Sequence, residues 1–442
     1  MKNSGVEWIG EIPEEWEISK TKYLTKLYTG NSIKDEEKDL YEDKADAIPY
    51  ISSKDINATF STTNYENGMY VKHSDNSFVR APAGSTLMCI EGGSAGKKKT
   101  LLNQEVCFVN KLCCFSPIKI DSKFLFYCLN SPNYEEEFRF NISGMIGGVS
   151  VGKLNQFILP KPPKETQQRI ATYLDKKCSK IEETIQNQQQ VIEKLKVYKQ
   201  SLITEAVTGK VKFENGKICG EYESYKDFKL KWLGDFNIPE KWNRIQVKSF
   251  VSIPVVDGPH ESPELFDNGI PYISATAIEN SKIDFSLKRG FISEKYCNEC
   301  DKRYKPMRDD ILMIKLGATT GQVAIVETDE RFNIWVPLAA IRCNKNIALP
   351  KFVFYSFQSD YCLKQMEMSW TFGTQQTLGV SSIERLKIFL PNVETQKTIA
   401  DYLDKKCTAI DTAIEQKQKL IEKLTEYKKS LIYECVTGKK EI

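Results

Sequence analysis

Glu165–Lys210 reads ETQQRIATYLDKKCSKIEETIQNQQQVIEKLKVYKQSLITEAVTGK, and Glu394–Lys439 reads ETQKTIADYLDKKCTAIDTAIEQKQKLIEKLTEYKKSLIYECVTGK. The two align at a constant offset of 229 without a gap, with 28 identities in 46 positions. Steps of four and three from Leu174 pass Cys178, Ile181, Ile185, Gln188, Ile192, Leu195, Lys199, Leu202 and Ala206. The second copy gives Leu403, Cys407, Ile410, Ile414, Lys417, Ile421, Leu424, Lys428, Leu431 and Cys435. Eight of ten positions are apolar in each stripe. A 3.5-residue stripe of that length predicts a coiled coil. Lys, Glu and Gln on the flanks keep the other face in water. Pro162-Pro163 and Pro391 precede the helices, Thr166 or Thr395 is the expected cap, and Gly209 and Gly438 follow the last turn. Each helix of about 44 residues would be about 66 Å long.

Outside these segments the repeat thins but continues. Trp8-Ile-Gly with Ile12-Pro-Glu-Glu-Trp16 matches Trp232-Leu-Gly with Ile238-Pro-Glu-Lys-Trp242. Ile48-Pro-Tyr-Ile-Ser52 matches Ile270-Pro-Tyr-Ile-Ser274, and Gly148-Val-Ser150 with Leu159-Pro160 matches Gly379-Val-Ser381 with Leu390-Pro391. Between those anchors, over 30–145 and 257–377, the halves share little. One scaffold thus occurs twice, with helical parts kept and middles diverged. That pattern suits two sites doing one kind of job on two targets. Drift in unconstrained loops is the plainer account, yet drift alone would not spare 46 residues of mostly solvated helix. The simplest pairing of the two helices is with each other. An antiparallel pair puts the halves at opposite ends, as a pseudo-twofold; a parallel pair puts both at one end.

Composition removes other classes. The chain has 442 residues, 41% apolar and 27% charged, enough for real cores in two or three domains. No run of 18 apolar residues is present to span a membrane. Met1–Gly10 lacks the apolar stretch of a signal peptide, so the expected location is cytoplasmic. The thirteen cysteines read as reduced thiols. Cys297-x-x-Cys300 has no second CxxC or histidine at metal-ligand spacing, so no metal is expected. Only His73 and His260 are available for acid–base work. Gly96-Lys97 fails as a phosphate loop because Glu91 stands where a glycine is needed. No dinucleotide fingerprint, amino-methyltransferase motif or catalytic triad is present, so no catalytic residue is expected and a binding protein is favoured.

The globular halves read as α+β. Strands are expected at Ile48–Ser52, Thr86–Ile90 and Val106–Val109, then at Ile270–Ser274, Ile311–Leu316, Gln322–Val326 and Leu338–Cys343. Phe124–Asn130 and Phe352–Ser359 read as helices. Each half carries a glycine-rich loop, Glu91-Gly-Gly-Ser94-Ala-Gly-Lys97-Lys98-Lys99 and Lys315-Leu-Gly-Ala-Thr319-Thr320-Gly-Gln322. Glycines let backbone N–H groups approach phosphates, lysine adds charge, and Gln or Thr can bond base edges. A plain hairpin turn is the alternative. Asn31, Ser32, Asp257 and His260 precede the Pro-Tyr-Ile strands, and Thr374, Gln375 and Gln376 precede the second Gly-Val-Ser. Arg303, Lys305 and Arg308 are read as solvated surface, with a groove lining as the alternative. The four repeated tryptophans are read as packing residues.

With these motifs in order, the whole chain resembles the DNA specificity subunit of type I restriction–modification systems. The carrying residues are the two Trp-x-Gly…Ile-Pro-Glu-x-Trp starts, both Pro-Tyr-Ile-Ser strands, and both Leu-Pro…Glu-Thr-Gln…Leu-Asp-Lys-Lys helices. The resemblance implies two target-recognition domains, over 1–160 and 210–391, and two spacer helices, over 161–209 and 392–442. Together they would form an α+β molecule in which the helices make an antiparallel coiled coil. It implies that each domain reads one half of an asymmetric, bipartite sequence in double-stranded DNA. It also implies docking of two methyltransferase subunits and two restriction–translocase subunits. S-adenosylmethionine, ATP and Mg would be used by those partners, and none bound by this chain. The competing reading is a coiled-coil scaffold that binds protein and shows no salt-dependent DNA affinity. Charge does not oppose the DNA reading: residues 1–164 carry 20 basic and 21 acidic groups, and residues 209–393 carry 25 and 23. A near-neutral chain would discriminate through local loops and leave much phosphate contact to its partners.

Overall fold

The computed structural model describes residues 1–144, 147–214, 216–230, 234–372 and 375–442. The chain forms two compact units, Met1–Gln190 with Lys417–Ile442, and Val191–Gln416. These units group the elements differently from a division at helix ends. Each holds one globular part, the start of the helix that follows it, and the end of the other long helix.

The first long helix runs Lys164–Thr208 and the second Val393–Val436. Their N-termini differ from the sequence expectation. Thr166 and Thr395 lie inside the helices. In the second helix the cap is Asn392, whose Oδ1 accepts the Thr395 N–H at 2.8 Å. The C-termini agree with it, since Gly209 and Gly438 are left-handed, at φ +76° and +72°. Within the first unit the helix segments run antiparallel: Lys428 donates to Glu182, and Lys417 to Gln188 at 2.9 Å. Within the second unit Lys199 donates to both oxygens of Asp411 at 2.7 Å. So Gln188, Lys199, Lys417 and Lys428, the polar breaks in the apolar stripes, all carry polar pairings. The seam around them is buried at Leu174, Ile181, Ile185, Ile192, Leu202, Leu403, Ile410, Ile421 and Leu431. Leu195, Ile414 and Leu424 are half-buried.

The globular part of the first unit has a four-stranded antiparallel sheet. Its order is Lys99–Leu101, Thr86–Cys89, Leu112–Pro117, Thr25–Thr29. A second sheet orders Tyr70–Lys72, Ala47–Ile51, Val106–Phe108, Arg80–Ala81, with its central pair parallel. The second unit repeats this plan. One sheet orders Val323–Ile325, Ile311–Ile314, Leu338–Ile341, Val256–Asp257. The other orders Gly290–Ile292, Ile270–Ile273, Asn333–Ile334, again with the Ile270–Ile273 and Asn333–Ile334 pair parallel. Helices Ser122–Leu129 and Pro350–Gln358 follow at matching places. The diverged middles therefore keep one topology. Apolar residues fill both cores, such as Leu87, Phe108 and Cys114 in the first and Leu312, Ile334 and Ala340 in the second.

The repeated motifs are the joints between globular part and helix. Gln167 accepts the Asp121 N–H at 2.7 Å and donates to the Pro162 carbonyl at 2.8 Å. Its counterpart Gln396 accepts the Leu349 N–H at 2.8 Å and donates to the Pro391 and Ile347 carbonyls, each at 2.9 Å. Asp175 holds the Tyr127 hydroxyl at 2.8 Å and the Lys123 ammonium. Asp404 does the same with Tyr355 at 2.8 Å and with Lys351. A Cβ on Gly438 would stand 2.4 Å from Pro13, and one on Gly209 would stand 2.5 Å from Pro239. Trp16 and Trp242 lie beside those glycines and are buried, as is Trp8. Trp232 lies outside the described residues.

Candidate nucleic-acid interface

Both glycine-rich loops close the hairpin at one end of the four-stranded sheet. A helix sits close behind each loop. A Cβ on Gly96, at φ +73°, would stand 2.5 Å from Phe138, and one on Gly321, at φ +96°, would stand 3.1 Å from Met366. The segment before Gly-Val-Ser pairs with each loop. Gly92 donates its N–H to the Gly147 carbonyl at 2.8 Å, and Gly317 to the Gln376 carbonyl at 3.0 Å. Each unit thus presents two adjacent loops at the end of a hydrogen-bonded sheet, the arrangement from which binding residues are commonly displayed.

In the first unit Lys97 and Ser32 are exposed and Ser94 is half-buried. The Ser94 carbonyl accepts the N–H groups of Lys97 and Lys98, which fixes the turn. The Lys98 ammonium donates to the Ser53 carbonyl at 2.7 Å. Lys99 does not belong to this surface. Its side chain is 1% exposed, and it donates to the Leu129 carbonyl at 2.7 Å and to Glu135 at 2.6 Å. Strand alternation turns it inward, so it is a core ion pair and cannot reach a phosphate. Burial pushes its pKa down against the pull of Glu135. Asn31 is half-buried and occupied too, its Oδ1 accepting the Val79 N–H at 2.7 Å.

In the second unit Asp257, His260 and Lys315 meet. Lys315 lies 2.7 Å and His260 3.3 Å from Asp257 Oδ2, while Arg303 donates to Oδ1. Asp257 and Lys315 are each 8% exposed. Burial works to raise the Asp257 carboxyl, but the hydrogen bond from Lys315 and the charges of Lys315, Arg303 and His260 outweigh it and hold its pKa below the ordinary value. Thr319, Gln322 and Gln375 are exposed. Thr320 is buried, its hydroxyl donating to the Gly317 carbonyl at 2.7 Å, which locks the loop and does not project from it. Gln376 is half-buried, and Thr374 lies outside the described residues.

Of the basic cluster read as solvated surface, Arg308 is engaged by Asp329, and Arg303 joins the Asp257 group. Glu135 as the partner of Lys99 has no local signal. The docking residues Lys123 and Tyr127 have one: Lys123-Phe-Leu-Phe-Tyr127 recurs as Lys351-Phe-Val-Phe-Tyr355. Cys297 and Cys300 are buried on helix Glu294–Arg303, and burial pushes the Cys297 thiol up to about 11. Among the described residues no group of three or more His, Cys, Asp or Glu is placed to hold a metal. No helix among them is long and apolar enough to cross a membrane.

The model of the type I restriction modification DNA specificity domain matches residues 13–194 and again 239–425. The EcoBI specificity subunit of Escherichia coli is 22% identical over 438 residues, covering 97% of this chain and 86% of that protein. The putative MjaX specificity subunit of Methanocaldococcus jannaschii is 26% identical over 447 residues, covering 98% and 95%. A solved chain from work on complex assembly and conformational transition of the type I R-M system superposes with a TM-score of 0.68 at 13% identity. That match covers 97% of this chain and 100% of the other, and it supports the fold.

Proposed function

Because the chain belongs to the type I restriction modification DNA specificity family, whose members are non-catalytic specificity subunits, we propose that its two globular parts each read one half of an asymmetric, bipartite target in double-stranded DNA. The two long helices then fix the unspecified gap between the half-sites and dock the partner subunits. The observation that carries this reading is one frame bearing two different loop surfaces. The joints at Gln167 and Gln396, Asp175 and Asp404, and Gly209 and Gly438 are common to both units. The two glycine-rich loops share the glycines that shape the turn, Gly92 with Gly317 and Gly96 with Gly321, and differ at the side chains they expose. A frame that places two readers needs the first property, and two different half-sites need the second.

The partners in this reading are two methyltransferase subunits and two restriction–translocase subunits in the cytoplasm. They use S-adenosylmethionine, ATP and Mg, and this chain supplies discrimination. Its candidate contacts are Ser32, Ser94, Lys97 and Lys98 from the first unit. The second contributes His260, Thr319, Gln322, Gln375 and Gln376.

Co-expression with the cognate modification subunit, followed by genome-wide mapping of methylated adenines, tests this. The expected result is a split motif. Adding four residues to both long helices should lengthen the gap and leave both half-sites unchanged. A continuous motif, or altered bases at an unaltered gap, would overturn it.

A further inference from the structure

The Asp257 group has no counterpart in the first unit. Strand register aligns the two units. Thr29 pairs with Cys113 as Asp257 pairs with Ala339, and Cys113 and Ala339 pair with Met88 and Met313. So Thr29 stands where Asp257 stands, and Ile90, two residues past Met88, stands where Lys315 does. Helix Glu294–Arg303, which delivers Arg303 from its last turn, has no equivalent between strands Tyr70–Lys72 and Arg80–Ala81.

The carboxylate and its cations have distinct places. Lys315 is buried and covers one oxygen of Asp257, whereas Arg303 is 52% exposed and reaches the other. The adjacent acid Asp301 is taken by Arg331 at 2.9 Å. One carboxylate against a lysine and an arginine leaves a net positive charge, and its exposed part is the Arg303 guanidinium. A guanidinium has five N–H donors in a planar fork. One nitrogen of Arg303 is spent on Asp257. A fork held at one corner by a buried carboxylate loses little further rotamer freedom on binding. The acceptor that suits such a fork in a DNA major groove is the O6 and N7 edge of guanine.

We propose that Arg303 is a specificity-determining residue that reads a guanine in the half-site of the second unit, and that Asp257 is its positioning residue. This rests on the half-site reading given above. Lys315 neutralises the second oxygen of Asp257, so that the carboxylate can be buried without repelling the DNA. His260, at the exposed rim, adds a donor beside the same carboxylate.

The test uses the full chain co-expressed with its modification subunit, with methylated adenines mapped for the wild type and for Arg303→Ala, Arg303→Lys, Asp257→Asn and Asp257→Glu. With Arg303→Ala, one guanine in one half of the motif should lose about 10-fold or more of its preference, while the other half and the gap stay as they were. Arg303→Lys keeps the charge and loses the fork, so it should relax the same position. The Asp257 variants should relax that position partly. If Asp257→Asn fails to accumulate as a folded complex, Asp257→Glu keeps the charge, shifts the carboxylate by one methylene, and decides the brace. Uniformly weaker methylation with an unchanged motif, rescued by Arg303→Lys, would mark a phosphate contact and overturn the proposal. An unchanged motif in Arg303→Ala would overturn it too. If the wild type itself gives no split motif, it is the half-site reading that fails.

Discussion

The two units bury charge in different places on the same frame. In the first, Lys99 and Glu135 form an ion pair between strand and helix. The matching positions in the second are Val323, by the pairing with Met313, and Leu363, four residues after Ser359 as Glu135 follows Ser131. Both belong to or pack on one apolar cluster. In the second unit Asp257 and Lys315 are buried where the first has Thr29 and Ile90. Neither pair is therefore required by the fold. A buried ion pair is weak evidence for stability, because desolvation offsets attraction. The frame tolerates a charge pair wherever both partners arrive together. The pair at Lys99 lies inside, and the pair at Asp257 lies beside an exposed arginine.

Transplanting one unit's solution into the other puts this equivalence under the most strain. Glu135→Leu strands the Lys99 ammonium with only the Leu129 carbonyl, and should cost about 3–5 kcal/mol. Lys99→Val should cost about 1–2 kcal/mol, since Glu135, 34% exposed, regains water while the Leu129 carbonyl loses a donor. The double variant rebuilds the Val323 and Leu363 arrangement and should recover most of the loss. Urea denaturation of all three gives the coupling directly. A double variant no better than Glu135→Leu alone would show that the positions are not interchangeable.

The joints should behave alike in both units, differing only in degree. Gln396→Ala removes three hydrogen bonds and leaves the Leu349 N–H and two carbonyls unpaired. Gln167→Ala removes two. Each buried group left unpaired carries a desolvation cost, so about 2–3 kcal/mol against about 1–2 kcal/mol is expected. Thermal melts of the two variants would read the order. A larger loss for Gln167→Ala would mean that the second unit holds its helix mainly by other contacts.

How much of this was legible depends on whether the signal was local. The helices were, because a stripe of apolar residues over four heptads and a glycine at the left-handed exit are written into consecutive residues. The strand at Thr86–Cys89 was legible for the same reason. Lys99 reads as part of the loop because three lysines in a row have the composition of a solvated turn. Only the hairpin register shows that the third one begins a strand and turns inward. Thr395 is a cap by residue type alone, whereas Asn392, three residues earlier, supplies the acceptor oxygen for the Thr395 N–H. The Asp257 group joins residues 46 and 58 positions apart, which no spacing rule links. The common plan of the diverged middles was hidden in the same way, since topology is fixed by pairing partners and alternating burial, and many sequences satisfy both.

The finest comparison lies in the helix seam. Lys199 with Asp411 and Lys428 with Glu182 are the same pair of positions in the repeat, once in each unit. Their exposures differ: Asp411 is 53% exposed and Glu182 29%. An ion pair nearer to water is screened more and constrains a freer side chain, so its net contribution is smaller. Lys428→Ala should therefore cost about 1 kcal/mol and Lys199→Ala about 0.5 kcal/mol or less. Raising the salt concentration should shrink the second difference before the first. Equal losses that ignore salt would mean that the lysine stems, packed along the apolar seam, contribute through their methylenes and not their charge.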